Sequence, residues 1–270
     1  MSTSLFDLTD KHILLIGATG ILGRQYVRYL RQQGVRLHIA DISLEQCEAL
    51  IEEDGHDLPG SCNAYHVDLL EEGSLEELYK RVLEKAGRLH AVVNNSQVKP
   101  KGFYDSFERF SRSSMRATLE GNTIGFAESC RLACSHFLEN DGGVIVNVAS
   151  IYGIVAADQR IYDGVTNPYS ETEPFSSPVG YAVSKAGVVQ LTRYLASYYR
   201  SSGIRVNTLT PGGVYDDHDD TFNSAYSART LMGRMADRTE YNGAMHFLLS
   251  QASSYMTGAN LVVDGGWTAT

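Results

Sequence analysis

His12-Ile13-Leu14-Leu15-Ile16-Gly17-Ala18-Thr19-Gly20-Ile21-Leu22-Gly23 is the stretch whose reading decides the fold. Four consecutive apolar residues run into a glycine-rich turn, and an amphipathic pattern over residues 21–33 follows at once. A short, nearly continuous apolar run is what a strand covered on both faces looks like. Glycines after it allow a tight turn, close approach of backbone to a pyrophosphate, and close packing of helix on strand. The N-terminus of the following helix adds unpaired N–H donors and the positive end of its dipole. A plain strand-to-helix connection can look the same, so the surroundings must decide.

Outward from this turn the pattern repeats. Strand-like runs recur at 36–40, 64–67, 90–93, 144–149, 205–208 and 260–263. Helical periodicity fills 44–53, 74–86, 113–139, 179–201 and 239–250. This alternation predicts an α/β fold, a doubly wound parallel sheet with helices on both faces. No repeat or linker divides the chain, so residues 1–270 read as one domain. The one compositional break is 157–178, a polar loop holding Pro168, Pro174 and Pro178. Loops of that length inside a compact domain are usually functional or disordered. A second irregular stretch, 212–220, carries Asp216, Asp217, Asp219 and Asp220 around His218. It reads as a solvated face, and no metal site is expected.

A formal net charge of −9 argues against nucleic acid and anionic membrane surfaces as partners. The four cysteines form no C-x-x-C pair. The first ten residues lack a basic segment followed by an apolar one, and no run of 18 apolar residues occurs. The expectation is a cytoplasmic protein without signal peptide or membrane span.

Asp41 ends the second strand, 18 positions after Gly23. A carboxylate there can accept from both ribose hydroxyls of NAD and would repel the 2′-phosphate of NADP, so NAD is favoured. Asp41 could instead cap the next helix, a role open to Ser43 as well. Asp68 follows the third strand and Asn94-Asn95 the fourth, at strand ends where ligands sit in such sheets. Either could be an ordinary turn residue.

Tyr181-Ala182-Val183-Ser184-Lys185 carries the chemistry. Residues four apart share a helix face. A phenol with a pKa near ~10 is a poor base. An ammonium one turn away is expected to pull that value down, so that Tyr181 exchanges a proton with an alcohol or ketone while hydride moves. Ser150, at the end of the fifth strand, could hold the substrate oxygen. Asn122, inside a long helix, could interrupt the ladder and hold a water that relays protons to Lys185. A strand-end cap and a solvated helix residue are the plain alternatives.

Taken together, the glycine turn, Asn94-Asn95, Asn122, Ser150, Tyr181 with Lys185, Pro211-Gly212 and the tail Ser254–Gly266 resemble the short-chain dehydrogenase/reductase family. The resemblance spans nearly the whole chain. It implies a Rossmann-type sheet of about seven strands, NAD(P), a tyrosine base, and a homotetramer or homodimer. It places Gly17 and Gly23 at the pyrophosphate, Lys185 also on the nicotinamide ribose, and the Pro211, Gly212, Gly213 and Val214 backbone beside the nicotinamide. Thr19, Gly20, Ile21, Leu22, Asp41, Asp68, Leu69, Asn94, Asn95, Ser96 and Tyr181 complete the candidate cofactor contacts.

Three features depart from the family pattern. Gly20 falls three positions after Gly17, with Ile21 where compact members usually have glycine. Ser96-Gln97 replaces the usual Ala-Gly. Ser150 and Tyr181 stand 31 apart, and the extra length is the loop 157–178. That insertion, with Ile151-Tyr152-Gly153 before it and Pro211-Gly212-Gly213-Val214 after, resembles oxidoreductases of bacterial surface-sugar pathways such as flagellin modification and legionaminic acid synthesis. The resemblance implies a carbohydrate substrate. Ser150, Tyr152, Tyr162 and Tyr181 are the candidate substrate contacts, with acyl, polyol or steroid-like carbonyls as the alternative. A non-catalytic NAD-binding protein is a third reading.

Overall fold

The computed structural model describes residues 4–53, 55, 57–170 and 174–269. β1 (His12–Ile16), β2 (Arg36–Asp41), β3 (Cys62–His66), β4 (Ala91–Asn94), β5 (Gly143–Val148), β6 (Ile204–Pro211) and β7 (Asn260–Val263) form one sheet in the order β3-β2-β1-β4-β5-β6-β7. Every pairing is parallel. This is the doubly wound α/β sheet that the alternating pattern predicts.

Side chains alternate across a strand, and β1 shows what that does here. Ile13 and Leu15 enter one core with Tyr26, Val27 and Leu30 of α1 (Ile21–Gln32) and Met245 and Leu248 of α8 (Asn242–Leu249). Leu14 and Ile16 enter the other, with Leu75, Leu78 and Val82 of α3 (Ser74–Ala86) and Cys130 and Phe137 of α5 (Gly125–Leu138). All four β1 residues are fully buried. Each contributes roughly 1.5–3 kcal/mol by leaving water, which fixes the register at the sheet centre. α2 (Leu44–Glu53) covers β2 and β3.

Three stretches differ from expectation. The predicted helix over 113–139 is divided: α4 (Arg112–Leu119), a π-helical turn (Glu120–Ile124), then α5. Gly121 lies in that turn, and a Cβ there would sit 2.3 Å from Cγ2 of Val98, so the loop after β4 presses directly on the helix. α6 (Val179–Tyr198) ends sooner than predicted. The stretch read as an acidic solvated loop leads into a further helix, α7 (Asp220–Ser227). Asp219 caps it by accepting from the N–H groups of Thr221 and Phe222 at 2.8 and 3.3 Å. Phe222 and Tyr226, four apart, are its buried face. Asp216 pairs with Arg238 at 2.5 Å. Among the described residues, no group of three potential metal ligands gathers and no helix is long and apolar enough to cross a membrane.

Of the insertion 157–178, all but 171–173 are among the described residues. A short helical turn (Gln159–Tyr162) buries Ile161 and Tyr162 against Ile151, Phe222, Tyr226, Met235 and Trp267. This small third core stands over the carboxyl ends of the strands.

At the opposite end of the sheet three histidines meet. His12 Nδ1 lies 3.0 Å from His38 Nε2, and His38 Nδ1 lies 3.2 Å from the Tyr65 hydroxyl. His90 Nδ1 accepts from the His12 N–H at 3.0 Å. Burial lowers the His38 pKa to about 4, with His12 adding to the effect. The unfolded imidazole keeps a value near ~6.5, so between these values the unfolded chain binds more protons. Stability is therefore complete above pH ~6.5 and falls as pH drops toward 4. His38 alone is expected to remove about 2 kcal/mol by pH 5. Urea unfolding at pH 7.5 and pH 5 checks this: the gap between the two midpoints narrows in His38→Gln, whereas an unchanged gap would exclude His38 as a cause.

Candidate active site

A cleft of about 1040 Å³ opens at the carboxyl ends of the strands, where strand order reverses between β1 and β4. Ligands of open α/β sheets bind at such a switch point.

The glycine turn forms one end. Gly17 has φ +88°, and a Cβ there would lie 2.4 Å from Ser96 N. A Cβ on Gly23 would lie 2.3 Å from Gly17 O. The two glycines thus let α1 and the loop after β4 close on the turn from both sides. Gly23 itself lies behind the cleft wall; Gly17, Thr19, Gly20, Ile21 and Leu22 line it. Gly20 caps α1 without a side-chain acceptor, and the first turn of that helix holds no acidic residue, so its N–H groups are open to an anion.

Asp41 lines the cleft but already has work in the backbone. Its Oδ2 accepts from Thr19 N–H at 2.9 Å and its Oδ1 from Ile42 N–H at 2.8 Å. It braces the glycine turn rather than capping α2. A carboxylate has about four acceptor sites, so two remain for ribose hydroxyls. Arg24 also serves the turn, donating to Thr19 O at 2.9 Å. Asp68 and Leu69 line the wall beyond, with Asp68 Oδ1 accepting from Leu70 N–H at 2.8 Å.

Of the two asparagines after β4, only Asn95 borders the cleft, and it donates to Gly17 O at 2.7 Å. Asn94 corrects an expectation. It is buried, donates to Asn147 Oδ1 at 2.8 Å and accepts from Ser129 at 2.7 Å. Asn147 continues to Thr192 at 3.0 Å. This polar chain ties β4, β5, α5 and α6 together, and the Asn94 side chain is committed to it. Ser96 and Gln97 do line the cleft, and Ser96 Oγ and Gln97 Oε1 are buried without a hydrogen-bond partner among the described residues.

At the other end, Lys185 is buried on α6 and donates from Nζ to Val148 O, the last residue of β5, at 2.9 Å. The same Nζ lies 5.9 Å from the centre of the Tyr181 ring and 5.2 Å from that of Phe126. Two residues past Val148, Ser150 Oγ accepts from Tyr152 N–H at 3.2 Å. Tyr181, Lys185 and Ser150 all line the cleft.

The electrostatics differ from the expected ones. Burial pushes the Tyr181 phenol above its ordinary value, and the Ser150 hydroxyl pulls it partway back. Burial lowers the Lys185 ammonium to about 7. The two groups line one cleft, where a phenolate at Tyr181 would favour the ammonium at Lys185, and the reverse.

Asn122 lies behind the cleft, in the π-helical turn. Both its side-chain atoms engage Val98, Oδ1 accepting from N–H at 2.6 Å and Nδ2 donating to the carbonyl at 3.0 Å. The amide is therefore a clamp on the loop after β4. The interrupted helix ladder matches expectation.

Pro211, Gly212, Gly213 and Val214 line the middle. Gly213 N–H donates to the Tyr226 hydroxyl of α7 and Gly212 O accepts from Tyr241 at 3.2 Å. On the outer wall stand Tyr152 and Tyr162, with Tyr104, Phe175 and Phe222, which sequence reasoning missed. Tyr104 stacks on Tyr169 at 3.7 Å, and nothing local in either segment announces that contact.

A family model described as Enoyl-(Acyl carrier protein) reductase matches residues 17–268. The chain belongs to the short-chain dehydrogenase/reductase family. D-threitol dehydrogenase of Mycolicibacterium smegmatis is 30% identical over 268 residues, covering 97% of this chain and 95% of the relative. Post-translational flagellin modification protein A of Campylobacter coli is 28% identical, covering 96% and 99%. A short-chain dehydrogenase from Leptospira borgpetersenii, solved with bound NAD+, superposes with a TM-score of 0.84 at 26% identity over 99% of this chain and 96% of that one.

As a short-chain dehydrogenase/reductase the chain is an oxidoreductase, and its residues fit a nicotinamide dinucleotide. The uncapped α1 N-terminus and Gly17 and Gly20 border the space such a molecule needs, and Gly17 and Gly23 let the backbone close tightly behind it. Gly23→Ala is expected to force α1 off the turn, weakening NADH binding at least ~10-fold by fluorescence titration and lowering the melting temperature. Unchanged binding would show that the turn is not the dinucleotide's seat.

Proposed function

We propose that this chain is an NAD-dependent dehydrogenase/reductase, one nucleotide-binding domain over residues 1–270, that interconverts a secondary alcohol and a ketone on a sugar or sugar derivative. The observation that carries it is the convergence of Tyr181, Ser150 and Lys185 on one cleft with the glycine turn. The bound dinucleotide supplies or accepts the hydride.

The protein's part is proton handling and positioning. Ser150 accepts from Tyr152 N–H and keeps its own O–H to donate to the substrate oxygen. Tyr181 exchanges the proton with that oxygen. Lys185 stabilises the phenolate, and charge on the phenolate restores charge on the lysine. Lys185 also faces the nicotinamide ribose, and the Pro211–Val214 backbone the nicotinamide. Asn122 acts at one remove, by fixing the loop that carries Asn95 and Ser96.

NAD is favoured over NADP because Asp41 keeps two acceptor sites for ribose hydroxyls, while its charge opposes a phosphate. A polyol or sugar is supported by the hydroxyl-rich wall of Tyr152, Tyr162 and Ser177 and by the names of the threitol dehydrogenase and flagellin modification relatives. A place in bacterial surface-glycan synthesis rests on the second of these alone. A cytoplasmic homotetramer or homodimer completes the reading. Its support is an exposed apolar stripe on α6, where Val183, Tyr194 and Tyr198 share one face.

Tyr181→Phe is expected to lower turnover of keto-sugars with NADH at least ~10³-fold while NADH affinity stays within about threefold. Spectrophotometric NADH oxidation over a keto-sugar panel reads both, and the wild type should prefer NADH to NADPH. Undiminished turnover in Tyr181→Phe would remove that residue from the chemistry.

A further inference from the structure

The outer wall of the cleft is built from rings, and two of them carry hydroxyls that packing does not explain. Tyr162 meets Phe175 edge-on, with centroids 5.4 Å apart, and Phe222 at a tilt, also 5.4 Å. A third phenylalanine would fill that position as well. Instead, the Tyr162 hydroxyl donates to the Tyr152 hydroxyl at 3.4 Å, the outer limit of a hydrogen bond. Burial raises the Tyr162 phenol, and hydrogen bonds with the Tyr152 hydroxyl and with that of Ser177, at the end of the insertion, pull it partway back. The chain of hydroxyls thus runs Ser177, Tyr162, Tyr152.

A hydroxyl has one proton to give and two lone pairs to accept with. Within the chain Tyr162 gives its proton to Tyr152, and among the described residues Tyr152 gives its own to none. Burial holds Tyr152 far above its ordinary value, so it remains an O–H donor at every working pH. Tyr152 stands two residues after Ser150 and gives it its N–H at 3.2 Å, so the end of the chain lies on the side of the cleft that holds Ser150 and Tyr181. All of these groups line the same cleft.

We infer that Tyr152 and Tyr162 read a second substrate hydroxyl, next to the carbon that is oxidised or reduced. This rests on the alcohol–ketone reading above and narrows it to vicinal diols and α-hydroxyketones. A hydroxyl placed between the two phenols accepts from Tyr152 and completes the pair's weak contact. A simple secondary alcohol offers the Tyr152 proton no acceptor. Sites built to bond a substrate hydroxyl discriminate strongly against the analogue lacking it.

The test compares cyclohexanol with the cis and trans vicinal cyclohexanediols, with NAD+ as oxidant. In the wild type, kcat/KM for at least one diol isomer is expected to exceed that for cyclohexanol by on the order of 10²-fold. Tyr152→Phe and Tyr162→Phe keep the rings and the packing. Each is expected to shrink that ratio at least ~10-fold, Tyr152→Phe the more. Equal turnover of diols and cyclohexanol by the wild type, or a ratio unmoved in both variants, would overturn the inference and leave the oxidoreductase reading standing. No turnover of either alcohol, nor of the corresponding ketones with NADH, would instead count against that reading, and the inference would go with it.

Discussion

One hydrogen bond sets the relation between fold and chemistry: Lys185 Nζ to the carbonyl of Val148, 2.9 Å long and wholly buried. An amino group taken out of water needs a partner, and here the partner is the end of a central strand. The bond fixes the rotation of α6 against β5. Tyr181, one turn earlier, then faces Ser150, two residues further along. The contact has no slack, since a Cβ on Gly153 would lie 2.7 Å from the Lys185 backbone. Burial also lowers the lysine to about 7.

The cofactor end obeys a similar economy, in which side chains expected to face a ligand first hold the protein's own backbone. Asp41 accepts from Thr19, Asn95 donates to Gly17, and Arg24 donates to Thr19. The turn is thereby set before anything binds, which lowers the ordering cost of binding. Above it, α7 and the insertion share one small core with Trp267, and Tyr226 reaches from that core to Gly213. The substrate wall and the strand end that closes the cofactor side are in this way one packed unit.

Much of this was legible in the residues. β1, its glycine turn and α1 follow from apolar run, glycines and period, because both faces of the strand are covered. Tyr181, Lys185 and Ser150 follow from spacing and position. What escaped was non-local. Asn94 looks like its neighbour Asn95, and only the alternation of side chains across the sheet sends one into the core and the other to the cleft. α7 hid behind its acidic entrance, since Asp219 is a cap and Asp216 an ion-pair partner of Arg238. The expected fall in the Tyr181 pKa failed because burial acts on both members of the pair, which spacing along a helix cannot reveal. The insertion looked like a polar loop, because its few apolar residues find partners only in distant segments such as Phe222 and Trp267.

A structure of the protein with NAD+ and a vicinal diol tests the central claim most directly. The account predicts the Tyr181 and Ser150 hydroxyls both within about 2.6–3.2 Å of one substrate oxygen, with Lys185 still on Val148. A substrate whose reacting oxygen rests on other groups, with the Tyr181 hydroxyl turned away from it, would contradict the account.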